Sequence, residues 1–314
     1  MPSPAVAVID IGSNTIKVLV ARTAADGSMQ TELFQSLDAR ISTGISRARP
    51  ELSREGMDRG LAAIRQLLAA AEPLQPVRTL LVATSAVRDA ANGAGFRVEV
   101  KAATGHDIRI LTGSEEANYI GAGLTCDPDL HDLQDFYVFD LGGGSLECLA
   151  FRQRRVQQAA SLRLGCVRLT EKLFADSSQA LPANAAASIA EACRVDFDSA
   201  GFRFDLPASA VAVGTGGTLT VARAIAALKS GATAGMGSSL LPVAELAAQF
   251  DRLKVMPLTE RQRFPGLPPA RADVYPTALA TYLAIAQLGH FESYRHSLYN
   301  LRYGLAREML AAVS

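Results

Sequence analysis

A chain of 314 residues is long for a single core and points to two domains. Lys plus Arg total 31 and Asp plus Glu total 31, so there is no formal net charge. That balance excludes a general binder of nucleic-acid polymers or anionic membranes, and any anionic ligand must be met by a local site. The N-terminal MPSPAVAVIDIGSN has no basic segment and no cleavable apolar run, and no stretch approaches the roughly 18 to 20 apolar residues of a membrane span. A cytoplasmic protein without a membrane partner is expected. Cys126, Cys148, Cys166 and Cys193 form no CxxC pair and read as reduced, buried thiols; the 4 His are scattered without metal-ligand spacing.

In chain order, strands are expected at 5–11, 16–22 and 31–37. A helix follows, with Ser53 as N-cap and Met57, Leu61, Ile64 and Leu68 at helical spacing. A buried strand at 79–83, a helix at 94–104, a strand at 108–111 and a helix at 115–124 complete a first half. Polar CDPDLHDLQ, from Cys126 to Gln134, reads as the connection, placing the domains at 1–125 and 126–299. Strands restart at 136–141, 146–151 and 156–162, with another at 209–213. Helices are expected at 166–174, 182–198, 218–228, 243–255 and 274–288, and the Pro-rich stretch 264–273 is a loop. The 274–288 helix is apolar enough to be core or a homodimer face. A C-terminal helix, about 300–314, is expected to pack back on the first domain. Alternating strands and helices make this an α/β protein.

One phrase occurs twice. Val8-Ile9-Asp10-Ile11-Gly12-Ser13-Asn14-Thr15 matches Val138-Phe139-Asp140-Leu141-Gly142-Gly143-Gly144-Ser145, 130 residues later. AVAVGTGGTL, from Ala210 to Leu219, is a third strand running into a Gly/Thr turn. Glycine turns after strands can gather backbone N–H groups around an anion with no Cβ in the way, and need no net positive charge to do so. Ser13, Asn14, Thr15, Ser145, Thr215 and Thr218 add short polar donors. Asp10 and Asp140 cannot donate to phosphate and read instead as Mg²⁺ ligands, direct or through water, joined by Glu147 further along the second hairpin. The alternative for a single such turn is a tight hairpin with Asp serving turn geometry.

The repeated Asp–Gly hairpins resemble the actin, sugar-kinase and heat-shock-chaperone ATPase superfamily. More narrowly, DIGSNTIKVLV (10–20), VATSAVRDAANG (82–93), ILTGSEEANYIGAG (110–123), VFDLGGGSLE (138–147), SLRLGCVRLTE (161–171), VAVGTGGTLT (211–220), DVYPTALATYLA (273–284) and NLRYGLAREML (300–310) resemble the exopolyphosphatase and guanosine-pentaphosphate phosphohydrolase (Ppx/GppA) phosphatase family, in that family's order. The resemblance implies two duplicated ribonuclease-H-like domains with an interdomain cleft. It also implies hydrolysis of a terminal phosphoanhydride, in inorganic polyphosphate or guanosine pentaphosphate. Matched by position, Glu116 is the catalytic base and Arg88 a phosphate-contacting arginine. Asp140 and Glu147 match acids associated with metal and water. Gly12, Gly142, Gly143, Gly144, Gly214, Gly216 and Gly217, with the hydroxyls of the three turns, match the phosphate cradle. Mg²⁺ is the expected cofactor, with Mn²⁺ as the alternative.

The chain reads as the short, two-domain form, which favours short polyphosphate or a nucleotide over processive degradation of long polymer. HSLYNLRYGL (296–305) lacks the Ser-Asp-x-Gly that often precedes LRxG in relatives. Two rival readings are a kinase or other ATPase of the same superfamily and a non-catalytic alarmone or phosphate sensor.

Overall fold

The computed structural model describes residues 3–231 and 238–313. The chain divides into two compact units, Met1–His131 with Tyr299–Ser314, and Asp132–Leu298. The sequence put the boundary at 125/126. In the structure, Thr125 closes a helix that stays with the first unit, and the polar connection contains a 3-10 turn at Pro128–Leu130 whose Leu130 is buried.

The first unit begins with β1 (Ala5–Ile11), β2 (Thr15–Thr23) and β3 (Met29–Asp38), an antiparallel meander. Both β1 and β2 are buried on both faces, which explains their nearly continuous apolar sequence. Helix α1 (Arg54–Ala71) follows, and its Ser53 Oγ accepts from Gly56 N–H as an N-cap. Next come β4 (Arg78–Ala83), the single turn α2 (Ser85–Arg88), α3 (Gly93–Thr104), β5 (Ile108–Ile110) and α4 (Gly113–Leu124). Strand β4 runs parallel to β1 and β5 parallel to β4, and the sheet order is β3-β2-β1-β4-β5.

The second unit repeats this plan. Strands β6 (Phe136–Leu141), β7 (Leu146–Arg152) and β8 (Arg155–Leu162) form the meander. Then come α5 (Cys166–Leu173), α6 (Ala185–Ala200), β9 (Val211–Thr215), α7 (Gly217–Lys229), β10 (Leu240–Pro242), α8 (Val243–Leu253), α9 (Leu258–Arg261), α10 (Tyr275–Gly289) and β11 (Ser293–His296). The order is β10-β11-β9-β6-β7-β8, with β9 parallel to β6 and β11 parallel to β9. Three antiparallel strands followed by parallel neighbours on the far side of the first strand is the ribonuclease-H-like sheet. That sheet occurs twice in the chain.

Strands β10 and β11 have no counterpart in the sequence reading. Each is only three or four residues long, too short to show a strand period: β10 is Leu-Leu-Pro, and β11 carries two ionisable side chains besides its tyrosine. Helix α10 is buried on nearly every face, which makes it core of the second unit rather than a dimer face. The chain then rejoins the first unit in α11 (Leu301–Ala311), which lies against α4.

That helix pair is packed backbone to backbone. A Cβ on Gly304 would stand 2.0 Å from Tyr119 O, and one on Gly123 would stand 2.0 Å from Asn300 O. Gly304→Ala should therefore force the helices apart and cost about 3 kcal/mol or more, since overpacking against backbone has no flexible side chain to yield. Gly95→Ala, in α3 with open space around it, should instead stabilise by about 0.5–1 kcal/mol. Urea unfolding of the two variants checks both signs.

Candidate functional site

In the first unit, β1, β4 and β5 are parallel, so the segments that follow them all leave from one edge of the sheet. Those segments are the Gly12–Asn14 turn, α2 and the start of α4. This carboxyl edge is where open α/β sheets place their ligands. Arg88, the last residue of α2, and Glu116, in the first turn of α4, meet there. Arg88 Nη1 donates to Glu116 Oε2 at 2.9 Å and to Leu111 O at 3.1 Å, while its Nε lies 3.5 Å from Asp89. Glu116 is 6% exposed and its neighbour Glu115 is not buried.

The two acids of GSEEA have separate tasks. Glu115 closes a capping box: Thr112 Oγ1 accepts from Glu115 N–H, and Glu115 Oε2 accepts from Thr112 N–H at 2.9 Å. Those backbone and hydroxyl donors, with Arg109, hold its carboxyl at about 2. Glu115 is thus occupied in starting α4, and that start turns Glu116 inward toward Arg88.

The two hairpin turns share one construction. Gly12 N–H donates to Thr15 O at 3.2 Å, and Gly142 N–H donates to Ser145 O at 3.0 Å. In each, the turn carbonyls are held from behind. Ser13 O accepts from Ser42 N–H and Ser42 Oγ, and Asn14 O accepts from Ala39 and Arg40 N–H. In the second unit, the first residues of α5 hold the triple glycine. Gly142 O accepts from Cys166 N–H, Gly143 O from Val167 and Arg168 N–H, and Gly144 O from Arg168 Nε at 2.8 Å. A trans peptide directs its N–H opposite to its C=O. With the carbonyls turned to α5, the amides of Gly143, Gly144 and Ser145 face the other way as a row of donors. None of Gly142, Gly143 or Gly144 has a positive φ, so left-handed backbone is not what calls for the triplet. The residue seated against it must itself be glycine: a Cβ on Gly165 would stand 2.3 Å from Gly143 O.

The third turn joins β9 to α7. Gly216 has φ +88°, and a Cβ on it would stand 2.6 Å from Asp140 Oδ1, so both backbone and space require glycine. Gly217 opens α7 with the Arg271 guanidinium against it, where a Cβ would stand 2.0 Å from Nη1. A helix N-terminus with an arginine over it is a ready place for an anion. Arg271 lies in the Pro-rich stretch that the sequence reading treated as a plain loop, and nothing in its spacing marked it. Gly214 and Thr215 are buried strand residues, and Thr218 is buried in α7. Thr215 Oγ1, and Asn14 Oδ1 in the first turn, are buried polar atoms without a hydrogen-bond partner among the described residues.

Three acids were expected at a metal. Asp140 and Glu147 are directly opposite each other across β6 and β7, so their carboxylates stand on one sheet face. Glu147 is 2% exposed, and its Oε1 accepts from Ser161 Oγ at 2.8 Å. Two adjacent carboxylates are a hard oxygen donor set that fits Mg²⁺ or Mn²⁺. Asp10 has different surroundings: its cross-strand neighbour is Lys17, and its Oδ2 accepts from Arg302 Nη1 at 2.8 Å.

His296, at the end of β11, was not singled out by the sequence. Arg223 Nη1 donates to its Nδ1 at 3.0 Å, leaving the proton on Nε2, 3.3 Å from Thr220 Oγ1. Burial first, and then the Arg223 charge, bring its pKa down to about 4. The unfolded chain takes up this proton near pH 6.5 and the folded chain does not. Stability is therefore full above about pH 6.5 and falls as pH drops toward 4, by at most about 1.4 kcal/mol per pH unit. His296→Gln should flatten this part of the stability profile, as read by urea titrations at pH 7, 6 and 5.

The sequence profile of the Ppx/GppA phosphatase family matches residues 19–312. A guanosine-5'-triphosphate,3'-diphosphate pyrophosphatase from Photobacterium profundum is 26% identical over 98% of this chain, and the chain spans 60% of that protein's length. Among solved structures, an exopolyphosphatase from Cytophaga hutchinsonii superposes with a TM-score of 0.86 at 20% identity, covering 99% of each chain. The Ppx-GppA enzyme of Aquifex aeolicus superposes with a TM-score of 0.76 at 25% identity, covering 96% of this chain and 98% of that one. With a profile match across nearly all of its length and the same fold as these structures, the chain belongs to the Ppx/GppA phosphatase family.

Proposed function

We propose that this protein is a phosphoanhydride hydrolase that releases the terminal phosphate of inorganic polyphosphate, of guanosine pentaphosphate, or of both. The observation that carries this reading is the Arg88–Glu116 contact at the carboxyl edge of the first sheet. A buried carboxylate fixed by an arginine is held in one orientation. Glu116 is the group that orients an attacking water and accepts its proton. Arg88 has a planar fork that can pair with a phosphate oxygen as readily as with a carboxylate, so it fixes the end of the chain being cut.

In the second unit, the amides of Gly143, Gly144 and Ser145 and the first turn of α7 with Arg271 are donors suited to phosphate oxygens. Charge builds on those oxygens as the bond breaks, and donors already in place need no rearrangement at that moment. Asp140 and Glu147 would hold a divalent ion, which when bound neutralises phosphate charge. The substrate class follows the family and the names of its relatives, one a pyrophosphatase of guanosine-5'-triphosphate,3'-diphosphate and one an exopolyphosphatase.

Phosphate release with Mg²⁺ on short polyphosphate, long polyphosphate and guanosine pentaphosphate tests the reading. Wild type should release phosphate from at least one. Glu116→Gln should lower kcat by about 10²–10⁴-fold, with little change in substrate binding, because a positioned base contributes on that scale. Arg88→Lys should raise KM as well as lower kcat, since a point charge replaces a fork. A wild type that binds one of these substrates and cleaves none would make the protein a sensor instead.

A further inference from the structure

The Arg271 guanidinium lies against Gly217 at the start of α7, and among the described residues it has no hydrogen-bond or ion-pair partner. Its donors are open to a ligand, so its place is set by packing and by the backbone that carries it. That backbone is a 3-10 turn, Pro269–Arg271, in the Pro-rich stretch between α9 and α10. A three-residue turn is too short to fix itself.

Arg261, the last residue of α9, is 0% exposed, and among the described residues it has no carboxylate within ion-pair distance. Its guanidinium instead gathers backbone carbonyls from two separate segments. Nη1 donates to Ala272 O at 3.1 Å and, at 3.5 Å, to Asp273 O. Nη2 donates to Ser177 O and Gln179 O, both at 2.8 Å. Leu258 N–H, at the start of α9, takes the carbonyl between those two, Ser178 O, also at 2.8 Å. Burial pulls the Arg261 pKa below its usual value, and the Asp273 charge acts the other way. A buried cation is costly unless its donors are met, and here carbonyls meet them; Nε alone has no acceptor among the described residues.

We propose that Arg261 is a positioning residue for phosphate binding: it holds Ala272, and so fixes the adjacent Arg271 over α7 before any phosphate arrives. The segments it joins both bear on the phosphate donors of the second unit. Ala272 follows Arg271 directly. Ser177 to Gln179 lies just past α5, whose first residues hold the triple glycine. The other end of the loop is pinned on α7 itself, where Gly266 has φ +84° and a Cβ on it would stand 3.0 Å from Leu228 Cδ1. Lysine could not do the same work, because its donors radiate from one atom while these carbonyls are reached through two nitrogens of a planar fork.

The inference deepens the proposed function and rests on it for the phosphate. The experiment measures tripolyphosphate binding by calorimetry with Mg²⁺, using Glu116→Gln protein alone and with Arg261→Lys, Arg271→Gln or both. Arg271→Gln should weaken binding by about tenfold or more. Arg261→Lys should weaken it by about fivefold or more, but by less than about twofold once Arg271 is replaced, because its effect passes through that side chain. Equal weakening by Arg261→Lys in both backgrounds would make its role merely structural and overturn the proposal, as would unchanged binding in Arg261→Lys. A Glu116→Gln protein that binds no tripolyphosphate would overturn the proposed function and this role together, whereas binding that ignores Arg261 would overturn this role alone. Should Arg261→Lys fail to fold, amide hydrogen exchange of the wild type without phosphate decides. The amides of Arg271, Ala272 and Val274, which donate to Pro268, Pro269 and Arg271 carbonyls, should be protected on the scale of α10. Exchange of these three at the rate of exposed loops would show that Arg271 is not held in advance, and the proposal would fall.

Discussion

The site depends on which way the peptides of two short turns face. A peptide plane cannot present its carbonyl and its amide to the same side, so capturing the carbonyls from behind fixes the amides in front. In the second unit the captor is the N-terminus of α5, seated against the triple glycine through Gly165. In the first it is the Ala39–Ser42 segment behind Ser13 and Asn14. The glycines permit that approach, and the donors they expose are fixed by the fold rather than by flexible side chains. A neutral protein can collect phosphate this way without a basic surface.

Duplication explains why the phrase recurs, and divergence explains why its copies differ. Each sheet puts a glycine turn at the carboxyl end of its first strand, with two more segments leaving the same edge. The first unit equips that edge with the Arg88–Glu116 pair and a neutralised Asp10. The second equips it with two facing acids and a helix N-terminus under Arg271. On the proposed reading, the first copy carries the proton acceptor Glu116 with the phosphate-pairing Arg88, and the second carries the two acids for an ion and the backbone donors for phosphate.

Much of this was legible in the sequence because it depends on local patterns. Strand periodicity, the Gly turns and the repeat revealed the two sheets, and the family motifs named Arg88 and Glu116, which the structure brings within 2.9 Å of each other. What escaped depends on partners far away in the chain. The Asp10–Arg302 pair spans nearly the whole sequence, and no spacing rule links the two. Glu147 is legible beside Asp140 from the second hairpin, whereas Lys17, at the matching place in the first, reads as a plain strand residue until register sets it beside Asp10. Arg271 and His296 were missed for the same reason: a Pro-rich loop and a four-residue strand carry no periodic signal, yet each delivers a side chain to α7.

The central claim is that bare backbone amides, not a basic patch, receive the phosphates. Amide chemical shifts of ¹⁵N-labelled protein, recorded with and without Mg²⁺ and tripolyphosphate, with Glu116→Gln used to prevent turnover, test it most directly. The account predicts that the largest downfield proton shifts fall on Gly143, Gly144 and Ser145. Shifts confined to arginine and lysine side chains, with these three amides unmoved, would contradict it.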